Sequence, residues 1–117
     1  MKHLLCYGSL RHHEYNFGRC GKQNYLKTLN LDGYELYSLG VYPGVVEGNG
    51  SVIVELHELP DDATANFIDQ MERGAGYKKK QVEIDGVEAS LYIYEGLVRP
   101  QDKVESGDWS QYLQERA

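Results

Sequence analysis

VEIDGVEASLYIY, residues 82–94, carries the clearest local signal in the chain. Asp85-Gly86 is a pair that tolerates the positive φ of a two-residue turn, and alternating apolar residues flank it on both sides. That combination predicts a β-hairpin. A hairpin commits its part of the chain to antiparallel pairing, so the sheet it joins is at least partly antiparallel. Just upstream, Lys78-Lys79-Lys80 opens the first strand of the hairpin. Adjacent lysines there read as a solvated edge that discourages sheet-to-sheet aggregation.

Working outward, Pro60-Asp61-Asp62 ends one segment and begins another, since an Asp side chain can accept from the free amides of a first helical turn. Ala63, Phe67 and Met71 recur at spacing four with Ile68 beside Phe67, which predicts an amphipathic helix from there to about Glu72, stopped by Gly74-Ala75-Gly76. Before it, Val52, Val54 and Leu56 alternate with Ile53, Glu55 and His57, the period of a strand. Gly33 to Leu39, GYELYSL, is a further strand ending at Gly40, ahead of a turn at Tyr42-Pro43-Gly44. HLLCYG near the start is short, apolar and bounded by Gly8-Ser9, as a buried strand would be. After Ser106-Gly107-Asp108, the spacing of Trp109, Tyr112 and Leu113 predicts a short terminal helix. Strands joined by hairpins, with a few helices attached, make an α+β fold on a mostly antiparallel sheet, read as one domain over residues 1–117.

Composition narrows the function. The chain has 117 residues, 41% of them apolar, and a formal charge of −6, so its surface as a whole repels phosphate backbones and no nucleic-acid partner is expected. No apolar run approaches the about 18 residues of a membrane span, and MKHLLCYGSL is too short in apolar content for a signal peptide; a cytoplasmic protein without a membrane partner is expected. Cys6 and Cys20 read as free thiols. Ten tyrosines raise the expectation of a pocket in which a small polar ligand meets rings. Tyr42, Tyr77 and Tyr94 read as packing residues rather than pocket contacts.

Three candidate sites arise from the residues. His3, Cys6, His12, His13 and Cys20 lack any CxxC, HxxxH or HExxH spacing, and adjacent His12 and His13 would point apart on a strand or helix, so no metal and no cofactor is expected. Ser9 lacks the GxSxG setting of a nucleophilic serine, although His12 or His13 is close in sequence. Glu72 lies one helical step of four from Ile68, at the border of the buried face and in the last turn. Burial and the negative end of the helix dipole both disfavour the carboxylate there, raising its pKa toward the range useful for proton transfer.

Taken together, Tyr7-Gly8-Ser9-Leu10 followed by Arg11 and Asn16, the segment LDGYELYSLGVYPGVV, the segment FIDQMERGAGYKKKQVEI, and YIYEG followed by SGDW resemble, in order and at compatible spacing, the motifs of the γ-glutamylcyclotransferase-like family, in its small bacterial-type, AIG2-like form. The resemblance implies a mixed, mostly antiparallel sheet curled into a small barrel with peripheral helices. It implies substrate contacts from Tyr7, Gly8, Ser9 and Leu10, and Glu72 as the catalytic acid/base. The opening glycine would let backbone approach the ligand, with His12 and His13 on the rim. The implied reaction needs no cofactor: the α-amine of a γ-glutamyl amino acid or γ-glutamyl amine attacks its own γ-carbonyl and releases 5-oxoproline. Arg73 stands where the family has glycine, and Lys78 to Lys80 occupy the place of its usual arginine. Were Arg73 to turn inward it would pair with Glu72 and hold it ionised, leaving a non-catalytic binder of a γ-glutamyl-like metabolite; a tyrosine-rich interaction module is a third reading. The leaving amine and the oligomeric state stay open at this level.

Overall fold

The computed structural model describes residues 2–116. Five strands, β1 (Lys2–Cys6), β2 (Asn24–Ser38), β3 (Pro43–Leu59), β4 (Tyr77–Ile84) and β5 (Val87–Tyr94), are joined by α1 (Asp62–Gly74), a 3₁₀ turn (Pro100–Asp102) and α2 (Trp109–Arg116). The sheet order is β2-β3-β1-β5-β4. Every pairing is antiparallel except β1 with β5, which run parallel with Leu4 opposite Ser90, so the sheet is mixed. The expected α+β class and peripheral helices are both present.

The hairpin forms as its sequence requires. Ile84 faces Val87, and Asp85 and Gly86 take φ of 52° and 80°, the doubly left-handed turn whose twist matches the strands it joins. Its lysine-rich member, β4, is an edge strand. The β2–β3 hairpin on the opposite side is brought near it by curling of the sheet: Lys80 Nζ reaches Glu47 Oε1 of β3 at 3.0 Å and lies over the Tyr34 ring of β2, while Lys27 of β2 pairs with Asp85 at the hairpin turn. The two edges meet through side chains and the sheet stays open.

Three boundaries differ from the sequence reading. The β2–β3 hairpin is far longer than Gly33–Leu39 and Ser51–His57 suggest, because most side chains of Asn24–Asn30 are exposed and two register shifts, at Tyr25/Lys27 and Asp32/Tyr34, break the alternation. Pro43 opens β3 instead of turning the chain; the reversal lies just before it, closed by the Leu39 amide donating to the Tyr42 carbonyl at 2.8 Å. In α1 the buried positions are Thr64 and Ile68, whereas Ala63 and Phe67, the latter 58% exposed, look outward and Met71 is partly exposed. The helix start is as expected: Asp61 caps it, its carboxyl accepting from the Thr64 amide at 2.7 Å.

Strand β1 divides the core. Leu5 and Tyr7 point into the larger cluster, with Leu36, Val45, Val52, Val54, Leu91 and Trp109 of α2; Leu4 and Cys6 point the other way, against Ile68 of α1, Leu10 and Tyr92. Because the period is two, one short strand supplies both layers. Strand β3 is buried on both faces at its centre: Val54 and Leu56 lie in the larger cluster, and Glu55 and His57, on the other side, are equally inaccessible. No helix is long and apolar enough to cross a membrane among the described residues.

Candidate active site

A cavity of about 410 Å³ opens where β1 gives way to the following turn. Cys6 lines it from the end of β1, Tyr7, Gly8, Ser9 and Leu10 from that turn, Asn16 from the segment behind, Leu39, Tyr42 and Pro43 from the β2–β3 reversal, Met71, Glu72 and Ala75 from the end of α1, and Tyr77, Tyr92 and Tyr94 from the β4–β5 hairpin. All five residues singled out in the sequence, Tyr7, Gly8, Ser9, Leu10 and Glu72, therefore border one hollow. Glu72 arrives there because it continues the Thr64–Ile68 register by one more step of four, at the helix end nearest the mouth.

Among the described residues, Glu72 is the one acidic or basic side chain in the lining. It is half-buried, and burial alone raises its carboxyl to about 7. Arg73 does not compensate it: its guanidinium turns outward to Asp69, four residues back, with Nε 2.8 Å from Oδ2. The sequence position of Arg73 left this open, and the helix decides it, since consecutive residues leave a helix about 100° apart.

The rings of Tyr42, Tyr77 and Tyr94 do line the cavity, in contrast to their reading as packing alone. Tyr7 and Tyr77 are fixed by hydroxyl bonds to backbone, Tyr7 to the Tyr92 carbonyl at 2.7 Å and Tyr77 to the Pro43 carbonyl at 2.6 Å. Burial pushes both phenols well above their ordinary range, so they stay protonated. Ser9 Oγ accepts from Asn16 Nδ2 at 3.0 Å, and this leaves the serine hydrogen free to donate. Among the described residues the amides of Gly8, Ser9 and Leu10 donate to no protein group, while the Gly8 and Ser9 carbonyls accept from the Arg11 and Asn16 amides at 3.1 Å each. The turn is thus braced through its acceptors with its donors spare. Gly8 has a reason of its own: a Cβ there would stand 2.8 Å from Pro43 Cγ, so the room its missing side chain leaves is taken by Pro43.

What braces the turn from behind was not legible as a site. Glu55, wholly buried in β3, accepts at Oε1 from the His12 amide at 2.7 Å and His57 Nε2 at 2.9 Å, and at Oε2 from Arg11 Nε and His12 Nδ1, each at 2.9 Å. Burial by itself would raise this carboxyl, but those donors outweigh it and hold it at about 2. Arg11 Nη1 continues to Asp108 Oδ1 at 2.9 Å, and Gln23 Nε2 donates both to His57 Nδ1 and to the Leu10 carbonyl. His12 and His13 accordingly sit behind the turn at Glu55, and neither lines the cavity rim. Both rings are committed to Glu55 and Ser110, and among the described residues neither bonds to Ser9. The two rings also fail to diverge as adjacent residues on a regular element would: they occupy a turn, with centroids 5.1 Å apart. Cys6 and Cys20 are free thiols.

Comparison with known proteins identifies the relatives of this chain. Residues 4–111 match the family model described as gamma-glutamyl cyclotransferase, AIG2-like. The chain is 37% identical over 107 residues to the gamma-glutamylcyclotransferase family protein YtfP of Escherichia coli K12, spanning 91% of this chain and 94% of that one. The crystal structure of the uncharacterized protein PH0828 from Pyrococcus horikoshii superposes with a TM-score of 0.86 at 27% identity, covering 99% of this chain and 96% of the other. An AIG2-like protein from Mus musculus shares the fold at a TM-score of 0.70 and 18% identity, over 87% and 82% of the two chains. On its motifs, its sheet and its match over nearly the whole length, the chain belongs to the AIG2-like γ-glutamylcyclotransferase family.

Proposed function

We propose that the protein is a cyclotransferase that releases 5-oxoproline from a γ-glutamyl amino acid or γ-glutamyl amine, with Glu72 as its general acid/base. The observation that carries this reading is the shared cavity: a carboxyl raised to about 7 faces the same 410 Å³ hollow as the turn Tyr7–Leu10 with its unused amides. The hollow is of a size suited to a small metabolite.

In the reaction the α-amine of the γ-glutamyl group attacks its own γ-carbonyl carbon. A C–N bond forms to close the five-membered ring, and the C–N bond to the leaving amine breaks. Holding the folded conformer is the first requirement, and well-oriented intramolecular attack is worth up to about 7–11 kcal/mol over the bimolecular case. The walls of Tyr77, Tyr92, Tyr94 and Met71 supply that confinement. The proton lost by the attacking amine passes to Glu72 and from there to the departing nitrogen, so the carboxyl ends unchanged. A group with a pKa about 7 suits both transfers. The free amides of Gly8 to Leu10, with the Ser9 hydroxyl, are the donors for the oxygen as it gains charge.

The test is incubation with a panel of γ-glutamyl amino acids and γ-glutamyl amines, reading 5-oxoproline by mass spectrometry. At least one member is expected to turn over, with Glu72→Gln slower by roughly 10²–10⁴-fold and unchanged in fold. Wild-type rates in that variant would remove Glu72 from the mechanism. Saturable binding by calorimetry with no product would leave a binder in place of an enzyme.

A further inference from the structure

The network behind the turn has chemistry that the proposed reaction does not use. His13 Nε2 lies 2.5 Å from Ser110 Oγ, and the Ser110 hydroxyl donates to Glu14 Oε2 at 3.0 Å. Ser110 has one hydrogen and a carboxylate has none, so with that hydrogen on Glu14 the serine can only accept from His13. The His13 proton is therefore on Nε2, and in the neutral ring Nδ1 carries a lone pair. That lone pair stands 3.5 Å from Glu55 Oε2, a fully buried carboxylate oxygen. Two acceptors facing each other are reconciled by a cation between them, either a proton on His13 Nδ1 or a metal ion.

A second donor converges on the same oxygen. His12 Nδ1 is 2.9 Å from Glu55 Oε2, and one donor atom from each of His12, His13 and Glu55 falls within 4.8 Å of the others. With metal–ligand bonds of about 2.0–2.2 Å, tetrahedral ligand atoms stand roughly 3.4 Å apart, so separations of 2.9 and 3.5 Å need little adjustment. The surroundings also fit. Ser110 and Glu14 orient His13 from its far nitrogen, as the outer partners of metal-bound imidazoles do. Arg11 pairs with Glu55 and Asp108, and Glu14 lies 3.2 Å from His13 Nε2, so three carboxylates gather around one guanidinium and the His13 imidazole.

We propose that His12 Nδ1, His13 Nδ1 and Glu55 Oε2 bind a divalent transition-metal ion of the zinc class, clipping the turn after β1 to the middle of β3. Two imidazoles and one carboxylate select Zn²⁺, Co²⁺, Ni²⁺ or Cu²⁺ over Mg²⁺ or Ca²⁺. Binding moves the His12 proton from Nδ1 to Nε2 and involves no electron transfer. Arg11 keeps its bond to Asp108. Both histidines are about two-fifths exposed at the side chain, which gives the ion an entry path. The site shares no donor with the cavity around Glu72, so it stands whatever the cyclotransferase assay returns.

The experiment is calorimetric titration of the full, untagged, chelator-treated chain with Zn²⁺, and visible absorption with Co²⁺. One equivalent per chain is expected, with the ligand-field bands of a low-coordinate Co²⁺ site. His12→Ala and His13→Ala each weaken Zn²⁺ binding at least about tenfold, the double variant abolishes it, and Ser110→Ala, which removes only the orienting hydroxyl, weakens it about 10–100-fold. His3→Ala leaves it unchanged. Should a variant fail to fold, ¹⁵N spectra of the wild-type imidazoles give the answer, because Zn²⁺ must shift the His12 and His13 ring nitrogens. Absence of saturable binding of either ion, full affinity in the double variant, or shifts confined to His3 or His57 would overturn the site.

Discussion

Glu72 and Gly8 show how much one side chain can depend on its neighbours. Burial raises the Glu72 carboxyl to about 7 from an ordinary 4.5, so the folded chain holds a proton that the unfolded chain has released. Stability from this group is complete below about pH 4.5 and falls as pH rises toward 7. Glu72→Gln is expected to remove that slope and, in thermal melts at pH 8, to be more stable than wild type by roughly 1–3 kcal/mol. The same ionisation governs the proposed chemistry with the opposite sign, since Glu72 must be ionised to take the amine proton; kcat/KM should drop below about pH 7. A variant that melts higher and turns over less is the signature of a group whose burial serves function at the cost of stability. Gly8 behaves otherwise. A Cβ would stand 2.8 Å from Pro43 Cγ, and a proline ring has little freedom to move aside. Gly8→Ala is therefore expected to cost about 1–3 kcal/mol in urea unfolding, before any ligand is considered. The motif glycine was legible in the sequence; that Pro43, 35 residues away in the chain, claims its space was not.

Helix α1 carries the acid to the cavity, and the way it docks decides where the acid points. Periodicity marked Ala63, Phe67 and Met71, with Ile68 beside Phe67, as its apolar face, yet of these four the helix buries Ile68 alone, together with Thr64. A short helix with several apolar residues offers more than one stripe, and the surface beneath it chooses; here Leu4, Cys6 and Leu59 close on Ile68. Had the outer stripe docked, the step of four that brings Glu72 inward would have carried it toward solvent. Ile68→Ala should lower stability by about 2–5 kcal/mol, read as a fall in the denaturant midpoint. The β4–β5 hairpin is the contrasting case. Its turn chemistry and its alternation are both local, so VEIDGVEASLYIY is enough to specify it, whereas the front half of β2, exposed and twice shifted in register, left no alternating trace.

Across the whole molecule, the Glu55 network joins the turn after β1 (Arg11, His12), the start of β2 (Gln23, through His57), the middle of β3 and the entry to α2 (Asp108). Its carboxyl is held at about 2, so the stability it confers is complete above about pH 4.5 and is lost as pH falls through 2. Glu55→Ala strips the buried Arg11 of one partner and should destabilise the protein by about 3–5 kcal/mol, with its acid-unfolding limb flattened between those two pH values. Circular dichroism across that range is the check. The alternation of β3 put Glu55 and His57 on the face opposite Val54. The structure places the segment that follows β1 over that face and closes it.

By itself the sequence determined the class of fold, the hairpin, the limits of α1 and the membership of the family, because those rest on turn chemistry, spacing and motifs that are local or ordered along the chain. The tertiary structure decided that Arg73 turns to Asp69 and away from Glu72, that tyrosines from the hairpin and the β2–β3 reversal wall the cavity, and that a charged residue of β3 lies at the centre of a buried network. The physical reason is common to all three. Burial is conferred on a side chain by chain segments far from it in sequence, and the pKa of a carboxyl and the face a helix presents both follow from burial.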